Sequence, residues 1–432
     1  MDKSCTEFAR GIGGGWKSLQ AMDRQPTCAV VGGGVAGIVA AYLLQRRYQV
    51  ELWESQARLG GHTNTFQVAH GEDAGLRVDT GFIVYNGETY PLFQRFLAEL
   101  GVASQISDMS FGYFCEKTGW GYGGHDLNTF FAQRDKLFHP DFWRFALDLA
   151  RFNVTSLRRL RQGQVEGTLG DYLRGYTRTF VRHYIQPLGS SVWSAPLEKI
   201  LDFPAQTFVR FFYNHGLFRV VGRPDWFTVA GGSQSYIDAF VSRFQGRVRL
   251  SAPVRQVRPA EGGYEVEGRR YDKVVLATHA DIALAQLLEP TELQRRALGD
   301  WRYLANRTVL HRDSSCLPPN PRLRASWNYL RGQASDRLPT LTYDMNRLQS
   351  LKSRLRYLVT LNPQRDIEAS TILGEWIYHH PQYDRHSEVS QALLPQLNDG
   401  NIAFCGSYHR FGFHEDAVMS AAAAAASLGC AW

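Results

Sequence analysis

The sequence predicts an α/β fold: a parallel-sheet domain, assembled from separate stretches of chain, that carries an α+β domain inserted in pieces. Three observations lead there. The apolar run 28–31 meets Gly32-Gly33-Gly34, then residues 35–45, small and apolar at helical spacing, then a second apolar run at 50–53. Strand, glycine turn, helix and strand make a βαβ unit. Strand signals return at 247–250, 264–266 and 274–277, and again at 402–405, ahead of the Ala-rich stretch 417–428.

In order along the chain, residues 1–26 are Gly-rich and mixed in charge and read as a tail ending at Pro26. Residues 27–95 open the parallel domain with the βαβ unit, β-structure broken by turns over 61–84, and a helix over 91–100. The first inserted block, 96–224, contains a long helix at 140–161, with Pro140 in the first turn, where its missing N–H goes unused. Residues 225–285 return to the parallel domain. The second inserted block, 286–384, holds a Pro-rich loop at 317–321, strands at 340–343 and 357–361, and a turn-like His379-His380-Pro381-Gln382. Residues 385–432 close the parallel domain.

Composition narrows the function. The chain is 44% hydrophobic and 21% charged, which excludes a disordered or fibrous protein. No apolar run can cross a bilayer, and the N-terminus lacks the apolar core of a secretory signal, so a cytoplasmic protein is expected. Cysteines 5, 28, 115, 316, 405 and 430 form no CxxC pair and no zinc spacing, which points to six free thiols. His379, His380, Asp384 and His386 fit no standard ligand spacing, so no metal is expected.

A net charge of +7 favours a polyanionic surface, and the absence of nucleic-acid motifs leaves the inner face of a membrane. On the 140–161 helix Arg144, Arg151 and Arg158 share one face, Arg159 and Arg161 extend it, and Phe142, Trp143, Phe145, Leu149 and Phe152 supply apolar surface. That pattern suits a peripheral helix on an anionic bilayer, and equally a solvated face over a core.

Gly32-x-Gly34-x-x-Gly37 follows a strand and opens a helix. The first glycine permits the tight turn, the second lets backbone approach a pyrophosphate, and the third lets helix pack on strand, so this is a Rossmann-like dinucleotide site. Val35 and Ala36 begin the helix whose N-terminus favours phosphate. Glu54, with Ser55 beside it, ends the second strand 22 residues after Gly32, placed to accept from a ribose hydroxyl.

The segments that follow resemble the flavin amine oxidase superfamily. Arg58-Leu59-Gly60-Gly61-His62-Thr63 resembles its second glycine pair, Val78-Asp79-Thr80-Gly81-Phe82 its D-x-G segment beside the flavin, Pro253-Val254 its adenine-contacting strand, and DKVVLAT (272–278, with Ala277) its following strand. Phe404-Cys405-Gly406-Ser407 leading into Phe413-His414-Glu415-Asp416-Ala417 resembles its closing motif, where a helix N-terminus faces the flavin. Ser407 departs from the pattern, since many members carry an acid there. The resemblance implies non-covalent FAD, with Arg58 supplying charge to the pyrophosphate.

A narrower set, including VDTGFIVYNGETYP (78–91), VAGGSQSY (229–236), YDMNRLQ (343–349) and GFHEDA (412–417), resembles the FAD-binding half of plant cyclopropane fatty acid synthases and free-standing bacterial relatives. That resemblance implies a fatty acyl or phospholipid substrate and a fatty-acid methyltransferase partner. For the chemistry, His414 and Glu415 lie nearest the expected flavin edge, with His414 a proton acceptor. Asn328, in the Trp327-Asn328-Tyr329 wall, and Tyr408 are further candidates. The expectation is an FAD-dependent oxidoreductase that oxidises or desaturates a lipid. The alternatives are an amine or polyene oxidase, or a non-catalytic FAD-fold partner of lipid or methyltransferase.

Overall fold

Five parallel strands organise one side of the molecule. In the computed structural model, which describes residues 25–219, 222–332 and 338–432, the strands Thr27–Val31, Gln49–Trp53, Arg247–Arg249, Lys273–Leu276 and Ile402–Phe404 form one sheet. Its spatial order is 247–249, 49–53, 27–31, 273–276, 402–404, and every pairing is parallel. The 27–31 strand is central. Ala29, Val30 and Val31 are buried, as a strand covered on both faces requires. Helix Val35–Leu44 packs against the Ala-rich closing helix His414–Ser427, and both share one core cluster with Phe93, Phe96 and Tyr236.

The second sheet has seven strands in the order 372–382, 302–311, 358–361, 341–344, 327–331, 111–115, 120–123. Only the pairing of Trp327–Arg331 with Phe111–Cys115 is parallel. Its two longest strands, Arg302–His311 and Ile372–Gln382, are absent from the sequence reading. The turn-like His379-His380-Pro381-Gln382 in fact continues the second of them, with Pro381 opposite Tyr303. This strand is the sheet edge, the place in a sheet where a proline is tolerated.

Helix Pro140–Arg161 forms as its sequence indicates and buries Phe142, Phe145 and Phe152. The opposite face leaves large apolar groups in solvent: Trp143 is 51% exposed, Leu147 69% and Val154 68%, with Phe138 91% exposed just before the helix. No helix among the described residues is long and apolar enough to cross a membrane. Cys28, Cys115, Cys316, Cys405 and Cys430 are free and buried; Cys5 lies outside the described residues. Among the described residues no group of three or more His, Cys, Asp or Glu side chains is placed to hold a metal.

Candidate active site

A cavity of about 610 Å³ runs from the first glycine turn to the edge of the seven-stranded sheet. Its first end is made of backbone. Gly32 has φ +106°, and a Cβ there would sit 2.7 Å from the Ala277 carbonyl oxygen. A Cβ on Gly37 would fall onto the Gly32 carbonyl oxygen. Gly34 differs: a Cβ there meets nothing within 4 Å, because the position opens into the cavity. The helix behind it begins at Val35 with no side-chain cap, so its first N–H groups, on Val35 and Ala36 at the cavity wall, are left for an acceptor from outside. An uncapped helix end behind a glycine cradle fits a pyrophosphate.

Glu54 and Ser55 also line the cavity. The Glu54 carboxylate accepts the N–H of Gly33 (2.7 Å) and that of Gln56 (2.7 Å), which pins the glycine turn to the end of the second strand. Gly60 and Gly61 close over the turn, with Gly60 N–H donating to the Gly33 carbonyl (2.8 Å). Arg58 takes a different role from the one expected. Its guanidinium donates to the carbonyls of Thr63 (2.8 Å) and Gly61 (3.0 Å), so it clamps this loop from within and does not line the cavity. Thr63 is likewise turned inward, 2.6 Å from the Tyr236 hydroxyl.

Gly81, Phe82, Val254, Ala277, Gly406, Ser407 and Ala417 line the middle of the cavity with His62 and His414. Two residues before Gly81, Asp79 is a fully buried carboxylate that accepts from Ser233 N–H (2.9 Å), Ser233 Oγ (2.8 Å) and Gln349 Nε2 (2.8 Å). Three motifs distant in sequence thus meet on one acid. The His414 ring lies flat on Phe82, centroids 3.6 Å apart, and its Nε2 is 3.0 Å from the Tyr236 hydroxyl. Burial pushes its pKa down to about 3. It is therefore a neutral ring, fixed between Phe82 and the Tyr236 hydroxyl at the cavity wall.

Three further candidates make structural contacts. Glu415 accepts the N–H groups of Leu92 (2.9 Å) and Phe93 (2.9 Å), capping helix Pro91–Leu100, and does not line the cavity. Asp416 accepts the N–H groups of Phe411 (3.1 Å) and Phe413 (2.9 Å). Asn328 is fully buried and closes a turn: it accepts from Ala325 N–H (2.8 Å) and donates to the Ala325 carbonyl (2.6 Å). From that strand it is Trp327 that reaches the cavity. Tyr408 lines the cavity, and its hydroxyl is buried with no hydrogen-bond partner among the described residues.

The far end is built from side chains that the sequence reading did not connect. Trp193 and Ser194 arrive from the end of helix Gln186–Trp193, Tyr343 from the seven-stranded sheet, and Phe411 and Phe413 from the turn before the closing helix. His279 stacks on Tyr303 at 4.2 Å, and His380 sits 5.3 Å from His62. Burial pushes the imidazoles down to about 3 for His62 and His380 and to about 4 for His279, so all three are neutral. Among the described residues Glu54 is the one charged side chain on the whole wall.

Comparison with known proteins agrees with this geometry. The family model described as flavin containing amine oxidoreductase matches residues 35–311. Carotenoid phi-ring synthase of Streptomyces griseus is 26% identical over 309 residues, covering 64% of this chain; the chain spans only 56% of that protein. Cyclohexylamine oxidase from Brevibacterium oxydans IH-35A superposes with a TM-score of 0.66 at 15% identity, over 94% of this chain and 100% of that one. A CLA-producing fatty acid isomerase from P. acnes gives a TM-score of 0.61 at 12% identity, over 94% and 98%. At those identities the two structures share the fold. Cys405, the thiol nearest the closing motif, is buried beneath the sheet with its pKa raised by burial, which leaves it unsuited to a covalent flavin link. The cradle at Gly34 and the match over more than half its length place the chain in the flavin-containing amine oxidoreductase family, as an FAD-dependent oxidoreductase with non-covalent cofactor.

Proposed function

We propose that the substrate is an uncharged, lipid-like molecule, a fatty acyl chain or a polyene, oxidised at a C–H bond. The observation that carries this is the wall of the cavity. Its one carboxylate, Glu54, is committed to two backbone N–H groups at the cofactor end. The rest is uncharged hydroxyl and amide groups (Ser55, Ser191, Ser194, Thr278, Gln286, Ser407), aromatic and aliphatic side chains, and imidazoles, of which His62, His279, His380 and His414 are held neutral by burial. An alkylamine is cationic at neutral pH, and burying that charge without a partner costs several kcal/mol, on the order of the penalty for any unpaired buried ion. A hydrocarbon chain pays nothing of the kind. The names of two relatives, a carotenoid ring synthase and a fatty acid isomerase, support the same class.

Bound flavin supplies the hydride acceptor. The protein's share is to hold an extended chain and keep water out. The Phe82–His414 stack, Trp193, Tyr343, Phe411 and Phe413 do this as rigid surfaces. The test is anaerobic mixing of the yellow protein with unsaturated phospholipid, carotenoid-like polyene and alkylamine. Bleaching of the flavin by a lipid or polyene and not by the amine is expected; bleaching by the amine alone would sink the reading.

We further propose that the chain meets an anionic bilayer through helix Pro140–Arg161. Trp143, Leu147 and Val154 lie exposed on the face that also carries exposed Arg144, Arg151 and Arg158. Exposed aromatic and aliphatic groups interleaved with arginine match the apolar and anionic layers of a membrane surface. Arg151 has a second duty, stacking over Tyr176 at 4.1 Å and donating to the Gly175 carbonyl (2.8 Å).

A further inference from the structure

One corner of the cavity is polar, and its polarity has a direction. Asn306, fully buried in strand Arg302–His311, lies with its amide nitrogen 2.9 Å from His380 Nδ1. Which way that amide points is decided by backbone groups. The Arg307 N–H donates to Asn362 Oδ1 (3.0 Å), so the Asn362 amide nitrogen must face Asn306 Oδ1, to which it donates at 2.7 Å. Asn306 Nδ2 donates to the Leu304 carbonyl as well (3.0 Å). An N–H can only donate, so His380 Nδ1 is the acceptor and its ring proton resides on Nε2. Asn362 holds this chain together from a left-handed backbone conformation (φ +47°), which asparagine tolerates better than most residues.

His380 therefore presents a neutral N–H donor at the cavity wall. His62 stands beside it, ring centroids 5.3 Å apart, with a buried Nε2 that has no partner among the described residues. Burial holds His380 uncharged. No arginine or lysine among the described residues reaches the cavity wall to compensate an anion.

We propose that the His380–His62 corner recognises an uncharged oxygen, carbonyl or hydroxyl, carried by the apolar substrate, and excludes a free carboxylate. This rests on the lipid-like reading of the cavity and narrows it. Esters, amides, aldehydes and alcohols of a long chain fit the corner. The corresponding free acid, ionised at neutral pH, meets only neutral donors in a low-dielectric site and is disfavoured.

The test uses the flavin-loaded protein and four probes of one chain length: methyl ester, alcohol, free acid and plain alkene. Binding is read from perturbation of the flavin spectrum, independently of turnover. Ester and alcohol should bind about tenfold tighter than the alkene, the size of one neutral hydrogen bond, with the acid weakest. His380→Leu should erase the ester preference while alkene binding and flavin content stay unchanged, and His380→Gln, which restores an N–H donor, should recover part of it. Equal binding of ester and alkene by the unaltered protein would overturn the proposal. So would tight binding of the free acid, or loss of flavin in His380→Leu, which would make the corner a cofactor contact. An alkylamine that perturbs the flavin when all four probes fail would bring down the lipid reading itself.

Discussion

The two ends of the cavity are made of different material. At the cofactor end the wall is backbone: Gly32, Gly34, Gly60 and Gly61 bring peptide groups to the surface, and the one acid there is consumed in holding them. At the far end the wall is side chain, with rings from Trp193, Tyr303, Tyr343, Phe411 and three neutral histidines converging from distant segments. A backbone wall recognises a cofactor whose phosphates want N–H groups. A side-chain wall can be reshaped for a substrate without touching the turn that holds the cofactor.

The sharpest way to break the comparison is to add a methyl group at the backbone end. Gly37→Ala places its Cβ on the Gly32 carbonyl oxygen, so helix and strand must separate. We expect a loss of at least about 3 kcal/mol, seen as insoluble or unfolded protein. Gly34→Ala meets open space at a φ of −72° that any residue adopts. It should fold with stability changed by no more than about 0.5 kcal/mol yet purify without flavin. A Gly34→Ala protein that keeps its flavin would show that the pyrophosphate does not lie there.

The next largest prediction concerns the buried neutral histidines, four of which (His62, His279, His380 and His414) line the cavity. Eight histidines have folded-state pKa values below the ordinary 6.5: His62, His380 and His414 at about 3, and His183, His215, His279, His311 and His409 at about 4. Each binds a proton more readily unfolded than folded. Its stabilisation is thus present above pH 6.5 and lost as pH falls toward 4. Asp79 and Asp416, raised to about 6, and Glu415, raised to about 7, act oppositely and gain stability over part of that window. Asp344, also raised by burial, is a fourth, but eight groups outweigh four, so melting temperature should fall between pH 6.5 and 4. Calorimetry showing a stability maximum near pH 5 would mean that these rings are hydrated and charged.

The same contrast explains what could be read in the sequence. Backbone sites need residues without a Cβ at fixed local spacing, so Gly32, Gly34 and Gly37 announce themselves within six residues. The far end has no such spacing. His279 and Tyr303 meet across 24 positions, His62 and His380 across more than three hundred, and only strand pairing reveals it. Of the residues named for the chemistry, His414 and Tyr408 line the cavity, while Asn328 and Glu415 miss it by periodicity. Strand alternation sends Trp327 to the cavity and Asn328 to the turn behind it. In the closing helix, positions 414 and 417 share the cavity face, and 415 is rotated away from it. Arg58 sits in the right loop, but its guanidinium satisfies the loop's own carbonyls.

The membrane reading concerns a third surface, outside both ends, and its expected effect is smaller. Arg144→Glu with Arg158→Glu leaves Arg151 to its contacts with Tyr176 and Gly175. At about 1 kcal/mol per basic residue near an anionic surface, the pair should weaken co-sedimentation with anionic vesicles roughly thirtyfold, and added salt should weaken the unaltered protein similarly. Unchanged co-sedimentation would remove the membrane from the account.

The smallest effect is expected at Glu415, and it separates the two kinds of residue most cleanly. Its carboxyl touches neither end of the cavity and caps helix Pro91–Leu100 through the Leu92 and Phe93 N–H groups. Burial raises its pKa to about 7, so near neutrality it is partly protonated and ill suited to hold a fixed charge beside a flavin. Glu415→Ala should cost about 1–2 kcal/mol, the worth of a lost helix cap, and lower the melting temperature. The rate of flavin reduction per bound flavin should not change. A variant with native melting temperature and abolished reduction would return Glu415 to the chemistry and show that the closing helix presents to the cavity a face different from the one His414 and Ala417 define.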